Sequence, residues 1–163
     1  MYSRRIGFVL GFHGCDKEIR DRVVSEKGFL LKDSKNNYDW LGNGAYFWEN
    51  NHERALQYAI DLMNNPPKGK KNLIKEPAVL GAIIDLGHCL DLIDSKYLNV
   101  VKSSYEYLCQ SSVKHGLSLP ENKISESGDL LIRKLDCAVI EATHELNEEL
   151  KRPHYDSVRG VFF

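Results

Sequence analysis

The chain has 163 residues, of which 42% are hydrophobic and 28% are charged, and its formal net charge is −1. This length and composition are typical of a soluble globular protein, so we predict a single domain over 1–163. The balanced charge gives no general attraction for nucleic acid or anionic lipid. No apolar run approaches the roughly 20 residues that cross a bilayer, so we predict no membrane association.

The four cysteines, Cys15, Cys89, Cys109 and Cys137, are scattered and form no Cys-x-x-Cys pair. Structural zinc sites usually contain cysteines at short spacings, so we predict no metal cofactor. Unpaired thiols persist in reducing compartments, which favours a cytoplasmic protein.

The N-terminal part of the chain predicts a strand followed by a helix. The apolar run IGFVLGF, over 6–12, is typical of a buried strand. The segment 16–27 predicts a helix, in which Asp16 caps the first turn and Gly28 follows the last.

A second strand and helix follow a polar loop over 32–43. The letters GAYFW predict a short strand over 44–48. Asn50 and Glu53 suit a capping pair for the next helix. Five residues fall on one face of that helix at helical spacing: Ala55, Tyr58, Ala59, Leu62 and Met63.

The middle of the chain predicts a linker, a strand, a helix and a loop. The letters NNPPKGKK, over 64–71, cannot continue a helix and predict an exposed linker. AVLGAIIDLG, over 78–87, is short and rich in β-branched residues, which favours a central strand. A helix begins at Asp94, and 115–128 has the glycine, proline and serine content of a loop. The helix aligns these residues on one face: Tyr97, Val100, Val101, Tyr105 and Leu108.

A long amphipathic helix begins at Leu130, and the letters SVRGVFF, over 157–163, predict a strand that has only begun. The apolar residues of the helix keep helical period: Leu131, Leu135, Ala138, Val139, Ala142 and Leu146. Strands and helices do not alternate regularly along the chain. This order predicts the α+β class, with a mixed or antiparallel sheet and flanking helices.

A histidine and a glycine follow the first predicted strand, where a buried strand seldom has a titratable ring. A lone histidine is more often structural than functional. Gly14, directly after His13, lets a ligand approach the backbone and use its N–H and C=O groups. These two residues are therefore the first candidates for a site.

Two glycines, Gly42 and Gly44, flank the aromatic strand, and we expect the backbone there to lie close against another group. The following residues are three successive aromatics, Tyr46, Phe47 and Trp48. Neighbours in a strand point to opposite faces, so at least one ring must face a surface other than the core. Tyr46 can offer a flat stacking face to an aromatic ligand.

Four patterns then occur in a recognisable order: FHG, a helix ending in KGF, LGNGAYFW, and a helix opening NNHERALQYA. This order resembles the catalytic domain of poly(ADP-ribose) polymerases and, more widely, the diphtheria-toxin-like ADP-ribosyltransferases. The resemblance covers residues 9–60, and the later strand fits weakly. It implies an ADP-ribosyltransferase-like fold with a split sheet, and NAD as a substrate that is cleaved without a metal.

The resemblance implies specific roles for three residues, with His13 and Tyr46 as catalytic residues. His13 would hydrogen-bond the adenosine ribose of NAD. Gly14 would hold the nicotinamide carboxamide through its backbone, and Tyr46 would stack on the nicotinamide ring.

Three further residues are implied in NAD binding. Gly44 belongs to the glycine pattern before Tyr46. Arg54 stands where the polymerases have a serine that touches the carboxamide, and Tyr58 lies one position after their second stacking aromatic. The last two residues depart from the family pattern.

The resemblance also implies a third catalytic residue, a Glu or Gln on a later strand that stabilises the developing cation. Glu141 is the internal candidate, but the helical period of its neighbours predicts a solvent-facing position on a helix. A strand that stops at Phe163 would leave unpaired backbone. We therefore expect that the chain is shortened, that the third residue lies beyond Phe163, and that turnover is low.

Three other patterns are weaker candidates. HELNE, which begins at His144, has half of a zinc-protease motif but lacks its second histidine, so a solvated helix face is expected. His88, Cys89 and Cys15 lack partners at ligand spacing. The basic segment 68–71 is expected to be a solvated linker, although a nucleic-acid acceptor would give it a role.

These observations predict an NAD-dependent mono-ADP-ribosyltransferase that releases nicotinamide and modifies a macromolecular acceptor, protein or nucleic acid, as a toxin or effector does. An antitoxin or immunity protein would then shield the cleft around His13 and Tyr46. Two alternatives stay open. One is a non-catalytic module that holds NAD or ADP-ribose. The other is an enzyme that ADP-ribosylates nucleic-acid bases or takes up a terminal phosphate with NAD.

Overall fold

The computed structural model describes residues 8–67, 73–123 and 132–161. Within these ranges the protein has four α-helices and small sheets that are mostly antiparallel, which confirms the α+β class. The described residues form two compact units. We call the residues in 8–33 and 45–85 the sheet unit, and those in 34–44 and 86–161 the helical unit. The single domain stays a prediction.

The sheet unit is built on strand β1 (Phe8–Asp16), which lies between β2 (Trp48–Glu49) and β3 (Pro77–Asp85). Both pairings are antiparallel. β1 and β3 pair along their whole length, whereas β2 pairs with only two residues of β1. The β1–β3 ladder is therefore the framework of this unit.

The prediction of a central strand over 78–87 is wrong in one respect. Among the described strands β1 is central, and β3 lies at an edge. Ala78 and Leu80 are buried, but Ile83 is exposed. The apolar run thus belongs to a strand that pairs with β1 and is partly buried. It is not a strand buried on both faces.

β1 is longer than the sequence predicted. The predicted strand ended at residue 12, but pairing with β3 continues through Gly14 and Cys15 to Asp16. His13 therefore lies inside the central strand and not at its end. Glycine weakens a strand locally, but pairing with a long neighbouring strand outweighs that preference.

Helix α1 (Lys17–Ser25) follows directly and is capped by Asp16, as predicted. The Asp16 carboxylate accepts the backbone N–H of Glu18 at 2.9 Å. It also accepts the backbone N–H groups of Lys75 and Glu76, just before β3. These hydrogen bonds, above all the one from Lys75, hold the pKa of Asp16 below its ordinary value.

Helix α2 (His52–Asn64) packs on the sheet through two small residues. Ala55 and Ala59 are fully buried, so the predicted inner face is confirmed for these residues. Tyr58 and Met63 were predicted on the same face but are substantially exposed.

The cap of α2 differs from the predicted pair of Asn50 and Glu53. Asn51 is the cap, because its side-chain oxygen accepts the backbone N–H of Arg54 at 2.9 Å. Asn50 has a φ of 54°, in the left-handed region, and so belongs to the turn between β2 and the helix. The helix therefore begins one residue later than the pattern indicated.

The strand predicted over 44–48 is wrong for most of its length. Trp48 is its one residue in a strand, and it lies opposite Phe12 of β1. Gly44 pairs instead with Ser34 in an isolated bridge. The aromatic letters indicated a strand, but only their last residue reaches the β1 ladder.

The helical unit combines two packed helices with short strands. Its elements are β4 (Cys89–Asp91), a 3₁₀ turn (Ser95–Tyr97), α3 (Leu98–His115), β5 (Asn122–Lys123), β6 (Ile132–Arg133), α4 (Lys134–Glu149) and β7 (Ser157–Arg159). α3 packs against α4. Leu90, Tyr97 and Ile140 form the buried cluster of this unit.

The helix predicted from Asp94 is confirmed, since its carboxylate accepts the backbone N–H of Lys96 at 3.1 Å and the 3₁₀ turn leads into α3. The loop predicted over 115–128 contains β5, and its part over 124–128 lies outside the described residues. The predicted helix start at Leu130 also lies outside them.

The last strand is short and paired. β7 runs parallel to β4 over three residues. Arg159 lies 3.4 Å from the carboxylate of Asp91, which is buried. The strand prediction is therefore confirmed over 157–159, and the expectation of unpaired backbone is wrong there. Residues 162–163 lie outside the described ranges.

We predict that Asp16→Ala lowers the free energy of unfolding by about 1–2 kcal/mol at neutral pH, because a helix cap is lost. Asp16→Asn is the control, since its amide oxygen can still accept the cap hydrogen bond. Urea unfolding measures both variants. An Asp16→Ala variant as stable as the parent would contradict the role of this cap.

The same residue predicts a pH dependence. Because the folded pKa lies below the ordinary value of 3.8, the contribution of the carboxylate is complete above that value and is lost as the pH falls through the folded pKa. The stability difference between the parent and Asp16→Asn should therefore shrink between neutral pH and about pH 2. A constant difference would contradict this assignment.

Candidate functional site

His13 is held in one orientation by the segment that contains Tyr46. Its Nδ1 lies 2.7 Å from the main-chain oxygen of Tyr46, 33 residues further along the chain. A carbonyl oxygen can only accept a hydrogen bond, so Nδ1 carries the hydrogen and Nε2 is the acceptor of the neutral ring. The structure thus brings together two of the residues that the sequence singled out.

Two of the three successive aromatics, Phe47 and Trp48, face different surfaces, as the sequence predicted. Phe47 packs beside His13, with ring centroids 5.6 Å apart. Trp48 lies under the guanidinium of Arg54, whose central carbon is 4.8 Å from a Trp48 ring centroid. Tyr46 is partly buried. Phe47 is a neighbour of His13 that the sequence analysis did not single out.

Gly14 has a packing role that the sequence did not reveal. A Cβ on Gly14 would lie 2.0 Å from the carbonyl oxygen of Ala55 and 3.3 Å from the Cβ of Ala59. The backbone of α2 therefore occupies the position where a side chain would be. A glycine is required here by helix packing, independently of any ligand.

The N–H and C=O groups of Gly14 point in a different direction, within the plane of the sheet. The N–H of Asn50 donates to the carbonyl of Leu10, so the peptide groups of Leu10 face the β2 side. Alternation along the strand gives the same direction to Phe12 and Gly14. β2 pairs with β1 no further than Phe12. Gly14 thus lies beyond the end of the β1–β2 ladder. Its N–H and C=O groups point towards the position that Tyr46 would occupy if β2 continued in the same register.

The two glycines before the aromatics have unlike surroundings. Gly42 has a φ of 82°, and an added Cβ would lie 2.6 Å from a carboxylate oxygen of Glu141. The expected close approach is therefore confirmed for Gly42. No described atom lies within 4 Å of a Cβ built on Gly44, so the expectation is wrong there. Both backbone groups of Gly44 are hydrogen-bonded to Ser34.

Arg54 and Tyr58, the two departures from the family pattern, lie on α2. Besides its contact with Trp48, Arg54 lies 3.8 Å from the carboxylate of Asp61, and both side chains are partly exposed. Tyr58 is 43% exposed. Their roles in nicotinamide binding stay predictions. Gly44 belongs to the helical unit, and the other five candidates belong to the sheet unit: His13, Gly14, Tyr46, Arg54 and Tyr58.

Glu141 lies on α4, as predicted, and its side chain is partly exposed. Its carboxylate accepts the backbone N–H of Asn43 at 2.7 Å and the side-chain amide of Asn43 at 2.8 Å. The prediction of a solvent-facing side chain is therefore only partly confirmed, because Asn43 binds the carboxylate and covers part of it. The two residues are 98 positions apart, and no local pattern signals their contact.

The other candidates do not form a metal centre in the described ranges. No group of three or more His, Cys, Asp and Glu residues there could hold a metal ion. His144 packs edge-on against Tyr155, with ring centroids 6.3 Å apart, and His88 stacks on the same ring at 4.5 Å. The expected solvated face is therefore wrong for His144. Burial raises the pKa of the Cys15 thiol. The basic segment 68–71 lies outside the described residues.

No protein-family model, curated protein or solved structure matches this chain. The resemblance to ADP-ribosyltransferases therefore depends on the motif residues themselves. Among the described helices, none is long and apolar enough to cross a bilayer.

We predict that Gly14→Ala lowers the free energy of unfolding by about 1–3 kcal/mol, because the new methyl group forces α2 away from β1. Gly81→Ala on β3 is the matched control, since its Cβ would meet the Phe12 ring at 3.4 Å, an ordinary contact. Chemical unfolding compares the two variants. Equal stabilities would show that α2 does not require the glycine.

Proposed function

We propose that the chain is an ADP-ribosyltransferase-type domain that binds NAD and transfers ADP-ribose to a macromolecular acceptor with release of nicotinamide. The observation that carries the proposal is the 2.7 Å hydrogen bond from His13 to the main chain of Tyr46. It joins the two residues that the family motif pairs, although 33 residues separate them. We also propose that the chain has an ADP-ribosyltransferase-like fold.

The backbone of Gly14 suits the nicotinamide carboxamide. A carboxamide offers two N–H donors and one oxygen acceptor. Gly14 offers one acceptor and one donor on the same side of the strand, beyond the last β1–β2 pair. A carboxamide bound there would extend the ladder by one unit, and the ring attached to it would lie at the level of Tyr46.

His13 would then have a second contact. Its Nδ1–H is engaged by the Tyr46 carbonyl, which orients the ring and leaves Nε2 as the acceptor. A ribose hydroxyl can donate to this nitrogen. The same hydrogen bond thus fixes the histidine for the adenosine ribose and the Tyr46 segment for the nicotinamide.

The chemistry requires binding and charge stabilisation more than proton transfer. Breaking the bond between nicotinamide and ribose develops positive charge on the ribose, as in glycoside hydrolysis, and nicotinamide leaves as a neutral molecule. Stacking and backbone hydrogen bonds can hold the dinucleotide while the acceptor attacks. A Glu or Gln beside the ribose would stabilise the cation, and its identity stays a prediction.

A second candidate function is NAD or ADP-ribose binding without turnover. The observation that favours it is the state of Glu141, the internal candidate for the third catalytic residue. Its carboxylate accepts two hydrogen bonds from Asn43. A carboxylate engaged in this way positions the loop between Gly42 and Gly44, and it would have to give up both hydrogen bonds before it could act beside a ribose.

We predict that Tyr46→Ala weakens NAD binding by about 1–3 kcal/mol, the scale of a lost aromatic stack, and that Tyr46→Phe weakens it much less. Isothermal titration calorimetry measures both. Tyr105→Ala is the matched control, because Tyr105 is a partly exposed tyrosine on α3 in the helical unit. NAD binding that is equal in Tyr46→Ala and in the control would contradict a stacking role.

Nicotinamide release, followed by chromatography, separates the two candidate functions. Release that is lost in both His13→Ala and Tyr46→Ala supports the transferase. NAD binding without release supports the binding module, and neither binding nor release contradicts both. Labelled NAD offered with cellular protein and with nucleic acid then identifies the class of acceptor.

A further inference from the structure

The outer edge of β3 carries backbone groups that face away from the sheet. Because the peptide groups of Leu10 face β2, those of its odd-numbered neighbours in β1 face β3. His13 lies opposite Leu80, so the peptide groups of Leu80 point back to β1. The peptide groups of Val79, Gly81 and Ile83 then point outwards, away from β1. In the described part of the chain, no strand pairs with β3 on that side.

The same end of the sheet has an exposed apolar surface. Ile83 is 73% exposed and lies directly opposite Leu10, which is 50% exposed. Phe8, two residues before Leu10 on the same face, is 75% exposed. The middle of the β3 edge contains no lysine and no proline, the residues that usually block edge-to-edge pairing.

We infer that β3 pairs antiparallel with β3 of a second copy of this chain, so that the two three-stranded sheets form one continuous sheet. The two-fold axis passes beside Gly81, the middle residue of the strand. Gly81 then lies opposite Gly81 of the partner subunit, and Val79 lies opposite Ile83 of the partner subunit. The outward-facing groups of one strand thus meet those of the other.

The composition of the strand favours a second copy over an unrelated partner. The register that overlaps all nine residues of β3 also pairs outward-facing groups with outward-facing groups, so one strand is complementary to itself. It places Asp85, the one charged residue of β3, beside Pro77 of the partner subunit, so the two acidic side chains lie at opposite ends of the paired strands and do not repel each other. Ile83 gains an apolar neighbour in Val79 of the partner subunit.

The test is analytical ultracentrifugation of the purified chain between about 1 μM and about 1 mM. We expect a concentration-dependent mass of two chains. Ile83→Lys should raise the dissociation constant about tenfold or more, because lysine at an edge opposes strand addition. Val113→Lys is the matched control, since Val113 is 82% exposed on α3 and also β-branched. It should leave the dissociation constant unchanged.

Amide hydrogen exchange on the unmodified chain tests the β3–β3 pairing without any variant, so the test does not depend on whether a variant folds. The amides of Val79, Gly81 and Ile83 should become protected as the protein concentration rises, whereas those of Leu80 and Ala82 should be protected throughout. A monomer up to about 1 mM overturns the proposal. So does a dimer that forms without protection of the outward-facing amides, or an oligomer larger than two chains.

Discussion

The sheet unit depends on the antiparallel ladder between β1 and β3. This ladder carries β1 through Gly14 to Asp16 and thereby places His13 and Gly14 on opposite faces of one strand. On one face, the missing side chain of Gly14 lets α2 lie directly on the strand. On the other face, His13 reaches the main chain of Tyr46. Both contacts require an extended backbone at these residues, which a strand ending at residue 12 would not provide.

Local signals in the sequence predicted a large part of this arrangement. Asp16 was identified as a helix cap because aspartate at that position accepts a backbone N–H two residues on, and it does so. The α+β class and the face of α2 containing Ala55 and Ala59 followed from the spacing of apolar residues. The alternation rule predicted that adjacent aromatics would face different surfaces, and Phe47 and Trp48 do.

The remaining features depend on contacts between distant parts of the chain. The apolar run predicted that the first strand ends before Gly14, but pairing with Val79 of β3 keeps Gly14 in the strand. The helical period of its neighbours predicted that Glu141 faces solvent, but its carboxylate binds Asn43, which is 98 positions away along the chain. For the candidate site, the motif predicted that His13 and Tyr46 line the same cleft. It could not predict that the contact is to the Tyr46 main chain, because that depends on where β2 leaves the ladder.

The central claim is that NAD binds where His13 holds Tyr46, beside the backbone of Gly14. Its most direct test is an NMR titration of the isotope-labelled chain with NAD, observing the backbone amides and the His13 ring nitrogens. The account predicts saturable shifts of the Gly14 and Tyr46 amides and of the His13 Nε2, with little change at Gly116, at the end of α3 in the helical unit. An absence of saturable shifts, or shifts that avoid His13, Gly14 and Tyr46, would contradict it.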